Sequence, residues 1–169
     1  MARKVLKRGY DFERPEGKRF SRIEPLYVTP QDRENERIAA EALRVTKGWD
    51  EYHQTASDVD DLDLVFSHKG FPVAYGEVKR RNNKFHKYPD TAINLKKIRK
   101  LQRLAGPRPA YLIVYFDDYI VYCDVSQIDE TKCIVRPMTR TDKGATERDL
   151  MMFIPNMVFM PIKDLTGES

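Results

Sequence analysis

The sequence has little of the residues that build covalent or metal frameworks. Its 169 residues include 2 cysteines, 3 histidines and 1 tryptophan. Cys123 and Cys133 form no C-x-x-C pair. That spacing excludes a disulfide scaffold and a thiolate zinc site, and it makes a reducing, cytoplasmic compartment the expectation. His53, His68 and His86 show no H-E-x-x-H spacing, so the usual metalloprotease signature is missing. Long apolar runs are absent as well. The apolar run that holds Tyr111-Leu-Ile-Val-Tyr-Phe116 is the longest, far short of the ~20 residues of a membrane helix, so no membrane association is expected. The opening run Met1-Ala-Arg-Lys-Val-Leu-Lys-Arg8 lacks the apolar stretch of a secretory signal. No G-x-x-x-x-G-K-[ST] loop is present, so no nucleotide cofactor is expected.

Charge is plentiful and sorted. The net +4 hides four blocks: +5 over residues 1–22, −7 over 23–78, +10 over 79–108 and −4 over 109–169. Such asymmetry points to nucleic acid or another acidic surface as partner. A hydrophobic content of 41% is enough for a folded core. Residues 1–30, with Pro15, Pro25 and Pro30 and no apolar period, read as a basic arm. Residues 31–169 read as a single domain, with its core in 31–125 and a C-terminal extension in 126–169.

Local patterns give the expected elements. Thr29-Pro30-Gln31-Asp32 can open a helix, Ile38, Ala39, Ala42, Leu43 and Val45 recur at helical spacing, and Gly48 closes it. Trp49–Thr55 reads as a first strand. Leu62–Ser67 and Phe71–Lys79 read as a hairpin turning at His68-Lys69-Gly70, and Arg80–Pro89 as a basic loop. Asp90 or Thr91 can cap a second helix that runs to Ala105 before Gly106-Pro107. Tyr111–Phe116 and Tyr119–Val125 read as strands joined at Asp117-Asp118, Arg136–Asp149 as a polar loop, and Met151–Ile162 as a final strand or two. The order implies an α/β fold with a mixed central β-sheet flanked by helices.

The hairpin carries the chemistry. Side chains two apart on a strand share a face, so Glu77 and Lys79 point one way and Val78 the other. A hairpin centred on Gly70 pairs residues whose numbers sum to 140, which sets Asp63 opposite Glu77 and Asp61 opposite Lys79. Opposed carboxylates repel unless something compensates them. A divalent cation does so, and Mg²⁺ prefers hard oxygen ligands completed by water and phosphate. A cation lowers the pKa of a water it binds, and a neighbouring lysine can orient or deprotonate that water or hold charge developing on a phosphate.

Asp63, the run Glu77-Val78-Lys79 and the helix–strand–strand–strand–helix–strand order resemble the PD-(D/E)xK nucleases. That superfamily includes type II restriction enzymes, archaeal Holliday-junction resolvases and small phage nucleases. The runs Asp61-Leu-Asp-Leu-Val-Phe66 and Tyr75-Gly-Glu-Val-Lys-Arg80 carry the resemblance, within residues 31–125. It implies a restriction-endonuclease-like α-β-β-β-α-β core. It also implies that Asp63 and Glu77 bind Mg²⁺, with Mn²⁺ as a substitute, and that Lys79 activates the nucleophile. The eponymous proline is replaced by Leu62, and Asp61 is the alternative ligand to Asp63. Many members add a glutamate from the first helix. Glu34, Glu36 and Glu41 are the candidates here, and Glu36, at the edge of the apolar stripe, is preferred.

The +10 block supplies the expected nucleic-acid contacts: Arg80, Arg81, Lys84, Lys87, Lys96, Lys97, Lys100 and Arg103. Asp90 is its only acidic residue, so pairing within the block cannot neutralise it. Asn82, Asn83, Phe85, His86 and Tyr88 could meet bases or sugars. Within the family a lysine on the second helix often assists the site, and Lys97 is the candidate. The leading expectation is a Mg²⁺-dependent DNA endonuclease, with branched or junction DNA as one substrate class. Resolvases of this type work as symmetric dimers, which makes a homodimer one expected arrangement. The alternatives are a non-catalytic nucleic-acid-binding module on the same fold, and an exonuclease within a replication or packaging complex.

Overall fold

The computed structural model describes residues 29–54, 64–140 and 147–167. Contacts divide the chain into two units, residues 1–37 with 57–61, and residues 38–56 with 62–169. Helix α1 (Pro30–Lys47) runs through the first boundary. In the first unit its start is capped reciprocally. Asp32 N donates to Thr29 Oγ1 at 3.1 Å, and Thr29 N donates to Asp32 Oδ2 at 2.8 Å. Its end, in the second unit, is the predicted glycine: Gly48 has φ 71°, which a side chain would resist.

The second unit continues with β1 (Glu51–Gln54), β2 (Leu64–His68), β3 (Phe71–Arg80), β4 (Asp90–Asn94), α2 (Leu95–Leu104), β5 (Ala110–Tyr115), β6 (Tyr119–Asp124), β7 (Ile134–Arg140), β8 (Glu147–Pro155) and β9 (Met160–Asp164). Six strands form one sheet in the order β9-β6-β5-β3-β2-β1. Its neighbours are antiparallel except β3 and β5, which run parallel because α2 intervenes between them. The expected mixed sheet with flanking helices is therefore present. Strands β4, β8 and β7 make a second, antiparallel sheet.

The hairpin register matches expectation near the site and departs from it at the turn. Leu64↔Gly76, Val65↔Tyr75 and Phe66↔Ala74 pair as a Gly70-centred hairpin requires. An irregularity then shifts the ladder to Ser67↔Pro72 and His68↔Phe71. Lys69 and Gly70 have φ 51° and 82°, the two left-handed residues of a tight hairpin loop.

Two expectations are corrected. Asp90 and Thr91 do not cap a helix. They open β4, and Asn94 caps α2 instead, its Oδ1 accepting from Lys96 N at 2.8 Å. Pairing of Ala92 and Ile93 with Phe153 and Met152 outweighs the capping preference of Asp90 and Thr91. The polar stretch 136–149 is not all loop either, because Ile134–Arg140 and Glu147–Pro155 pair as strands.

Each face of the large sheet is covered. On one, Ala39, Ala40 and Leu43 of α1 pack on Leu64, Phe66, Ala74, Val78 and Ile113. On the other, Ile98 and Leu101 of α2 join Ile93, Met152 and Ile154 of the small sheet over Leu112, Val114 and Val121. Among the described residues no helix is long and apolar enough to cross a membrane.

Candidate active site

Strand β3 lies between β2 and β5, so its side chains fall under both helical layers. Ala74 and Val78 belong to the α1 face, and Tyr75 packs with the α2 face. Gly76 allows the close approach on the α1 side. A Cβ there would stand 3.0 Å from Phe66 Cε2 and 3.6 Å from Ile113 Cδ1. Alternation then sends Glu77 and Lys79 to the α2 side. This face is not the open one that two ionisable groups on a strand suggest. Glu77 is 1% exposed.

Burying a carboxylate is costly unless charge compensates it. Here two ammonium groups do so, one from the same strand and one from α2. Lys79 Nζ lies 3.1 Å and Lys97 Nζ 3.0 Å from Glu77 Oε2, and both lysines are about a quarter exposed (27% and 28%). Neither carboxylate oxygen of Glu77 receives an aligned hydrogen bond. Burial pushes the Glu77 pKa up, but the charges of Lys79, Lys97 and Lys100 outweigh it and hold the pKa below its ordinary 4.5. An ionised, buried carboxylate with poorly directed partners is therefore held beside positive charge.

The remaining predicted residues are distributed unevenly. Asp63 and Asp61 lie outside the described residues. Glu36 is half-buried on the N-terminal part of α1 and belongs to the first unit. On the same part of α1, Glu34 pairs with Arg37 at 2.6 Å, while Glu41, in the second unit, pairs with Arg44 at 2.5 Å. Among the described residues no group of three His, Cys, Asp or Glu side chains is arranged to hold a metal ion.

The basic block is compensated from elsewhere in the fold, which pairing along α2 alone could not reveal. Arg80 donates to Asp117 Oδ1 at 2.6 Å and to the Tyr115 carbonyl at 3.1 Å. Arg81 donates to the carbonyls of Arg80 and Ala92. Arg99 grips Glu130 with both terminal nitrogens, at 2.5 and 2.9 Å. Lys84, Lys87, Lys96 and Arg103 are exposed, and Lys97 and Lys100 are half-buried. Phe85 does not face outward as a base contact. It is 3% exposed and packs on Phe116 with ring centroids 5.1 Å apart. Asn156, which the sequence reading passed over, supports this region together with Thr91. Asn156 Oδ1 accepts from Thr91 Oγ1 at 2.7 Å, and Asn156 Nδ2 donates to the carbonyls of Phe85 and Tyr88, each at 2.8 Å. An asparagine after a proline carries no sequence signal for such a role.

A family profile described as "Phage putative PDDEXK endonuclease" matches residues 22–167, which takes in Asp63, Glu77 and Lys79. The chain belongs to this family. Glu77 and Lys79 lie together on strand β3, inside the matched residues of this PDDEXK nuclease. No curated protein matches it. Among solved structures it is similar to Hjc, a Holliday junction resolvase from Archaeoglobus fulgidus, at 15% identity, with 70% of this chain and 84% of that chain covered and a TM-score of 0.41.

Proposed function

We propose that this PDDEXK nuclease is a metal-dependent DNA endonuclease whose site is built on Glu77 and Lys79. The observation that carries this reading is the burial of an ionised Glu77 between two lysines. A buried carboxylate without aligned hydrogen bonds fits a hard divalent cation, with Mg²⁺ the favoured ion and Mn²⁺ a substitute. Asp63 is the proposed second ligand. Chain connectivity ties it to Leu64, whose ladder partner Gly76 immediately precedes Glu77. Glu36 is proposed as an assisting carboxylate. The cation would supply Lewis-acid polarisation of the phosphodiester and charge neutralisation.

The chain's own residues do the rest. Lys79 orients the attacking water, and takes its proton once its own ammonium proton has passed to solvent. Lys97, close to the same carboxylate from the opposite element, holds a non-bridging phosphate oxygen as negative charge develops there. The exposed Lys84, Lys87, Lys96 and Arg103 neutralise the flanking backbone, assisted by Lys100. Arg80 and Arg81 shape the end of β3 through their bonds to Tyr115, Asp117 and Ala92, and Arg81, bonded to carbonyls, adds positive charge beside it. Branched or junction DNA is the proposed substrate class. A homodimer in the host cytoplasm would supply one site for each strand.

The test is a panel of linear duplex, single-stranded, flapped and four-way DNA incubated with Mg²⁺, Mn²⁺ or EDTA. The reading expects internal cuts with either cation and none in EDTA. Binding without metal-dependent cleavage would leave the non-catalytic module standing instead. Shortening only from ends would replace the endonuclease with an exonuclease.

A further inference from the structure

Strand β3 leaves the large sheet at Arg80, one residue beyond Lys79, and the chain enters the segment Arg81–Pro89. That segment is tied down from three sides. Asp117 N donates to the Asn83 carbonyl at 3.1 Å, Phe85 N donates to Asp118 Oδ1 at 2.9 Å, and Asn156 Nδ2 holds the Phe85 and Tyr88 carbonyls. The Asn156 backbone N–H adds a bond to the Pro89 carbonyl at 3.0 Å. Asn156 and Phe85 are themselves buried, so the backbone here is fixed rather than loose.

With its backbone held, the segment turns His86, Lys87 and Tyr88 outward. Together with the turn at Met157 they rim a cavity of about 600 Å³ floored by Phe85 and Phe159. That size falls in the ~300–1,000 Å³ range of small-ligand sites. Tyr88 is 54% and Met157 88% exposed, so apolar surface stands in water at the mouth. Lys87 Nζ lies 5.3 Å from the centre of the Tyr88 ring. An exposed aromatic face, a thioether and a cation side by side match the two parts of a nucleotide, a flat base and an anionic phosphate. A paired base in a duplex offers its neighbours, not its π-face, and cannot enter.

We propose that this cavity is a docking notch for an unpaired nucleotide of the DNA substrate, with the base stacked at Tyr88 and its phosphate held by Lys87. The proposal rests on the nuclease reading and deepens it, because it makes a duplex bearing unpaired nucleotides the preferred substrate class. The notch lies on the segment that follows β3, the strand that carries Lys79 near its end.

The experiment uses the full chain in EDTA, where no cut can occur. Fluorescence anisotropy compares a blunt duplex with the same duplex carrying a short unpaired tail, for the wild type, Tyr88→Ala and Tyr88→Phe. The wild type should prefer the tailed DNA. Tyr88→Ala should reduce the ratio of tailed to blunt affinity by about fivefold or more, the scale of one base–aromatic stack, and Tyr88→Phe should keep it. A wild type without tail preference, or a ratio that Tyr88→Ala leaves intact, would overturn the notch. Cleavage in Mg²⁺ separates the two levels. If the wild type still cuts, losing the notch leaves the nuclease reading in place; if it cuts none of the DNAs, that reading fails as well.

Discussion

Glu77 sits in the middle of a sheet with 1% of its surface exposed, yet its pKa lies below the ordinary 4.5. Burial alone would raise it, so the nearby lysines decide the sign. A carboxylate depressed in this way contributes stability that is fully present above pH 4.5 and is lost as pH falls through the folded value. Lys97→Met removes one of the two ammonium groups within ion-pair distance of Glu77 Oε2. In metal-free buffer at pH 7 it should cost about 1–3 kcal/mol, the scale of leaving a buried polar group poorly satisfied. The difference from wild type should narrow as pH drops below 4.5, as read from urea melts across pH. A difference independent of pH would mean that Lys97 acts through packing rather than through the charge of Glu77. The sequence made Glu77 and Lys79 legible as a pair on one face of a strand. It could not show that the face is roofed by α2, because burial of that face depends on contacts between distant segments such as Ile98 and Leu112.

At the scale of elements, α1 and the β2–β3 hairpin were readable because each has a strong local signal: a cap and a closing glycine for α1, alternation around Lys69-Gly70 for the hairpin. Strand β4 was not, since Asp90 and Thr91 are good helix caps and only the tertiary partner β8 turns them into a strand. Strand β7 was hidden for a related reason: an edge strand such as Ile134–Arg140, exposed over Ile134–Met138, need not show an apolar row. Strand β3 must also lie close to its neighbours for Glu77 to reach under α2, and Gly76 marks that approach. Gly76→Ala would bring a Cβ to 3.0 Å from the ring of Phe66, which is itself fully buried and cannot swing away. Overpacking of this kind should cost about 1–3 kcal/mol in a urea titration. An alanine tolerated without loss would show that the sheet relaxes more readily than this packing allows.

Over the whole molecule, the net +4 conceals a −7 block ending at Val78 and a +10 block beginning at Lys79. The blocks meet between Glu77 and Lys79, where the proposed cation and phosphate would both bind. The fold adds a distinction that block charge cannot make. Arg99 is spent on Glu130 and Arg80 on Asp117, whereas Lys96 is exposed with its charge toward solvent. The salt dependence of DNA affinity should reflect this. Each phosphate contact contributes about −0.9 to the slope of log affinity against log salt. Lys96→Ala should make the slope shallower by about that amount, and Arg99→Ala should leave it unchanged; the reverse order would contradict the surface as drawn. The most direct test of the central claim is the single-turnover cleavage rate of DNA in Mg²⁺ by wild type and Lys79→Ala at saturating protein. The account predicts a loss of about 100-fold or more, the scale of a positioned acid–base group, with the DNA still bound. A Lys79→Ala variant that cuts at the wild-type rate would contradict it.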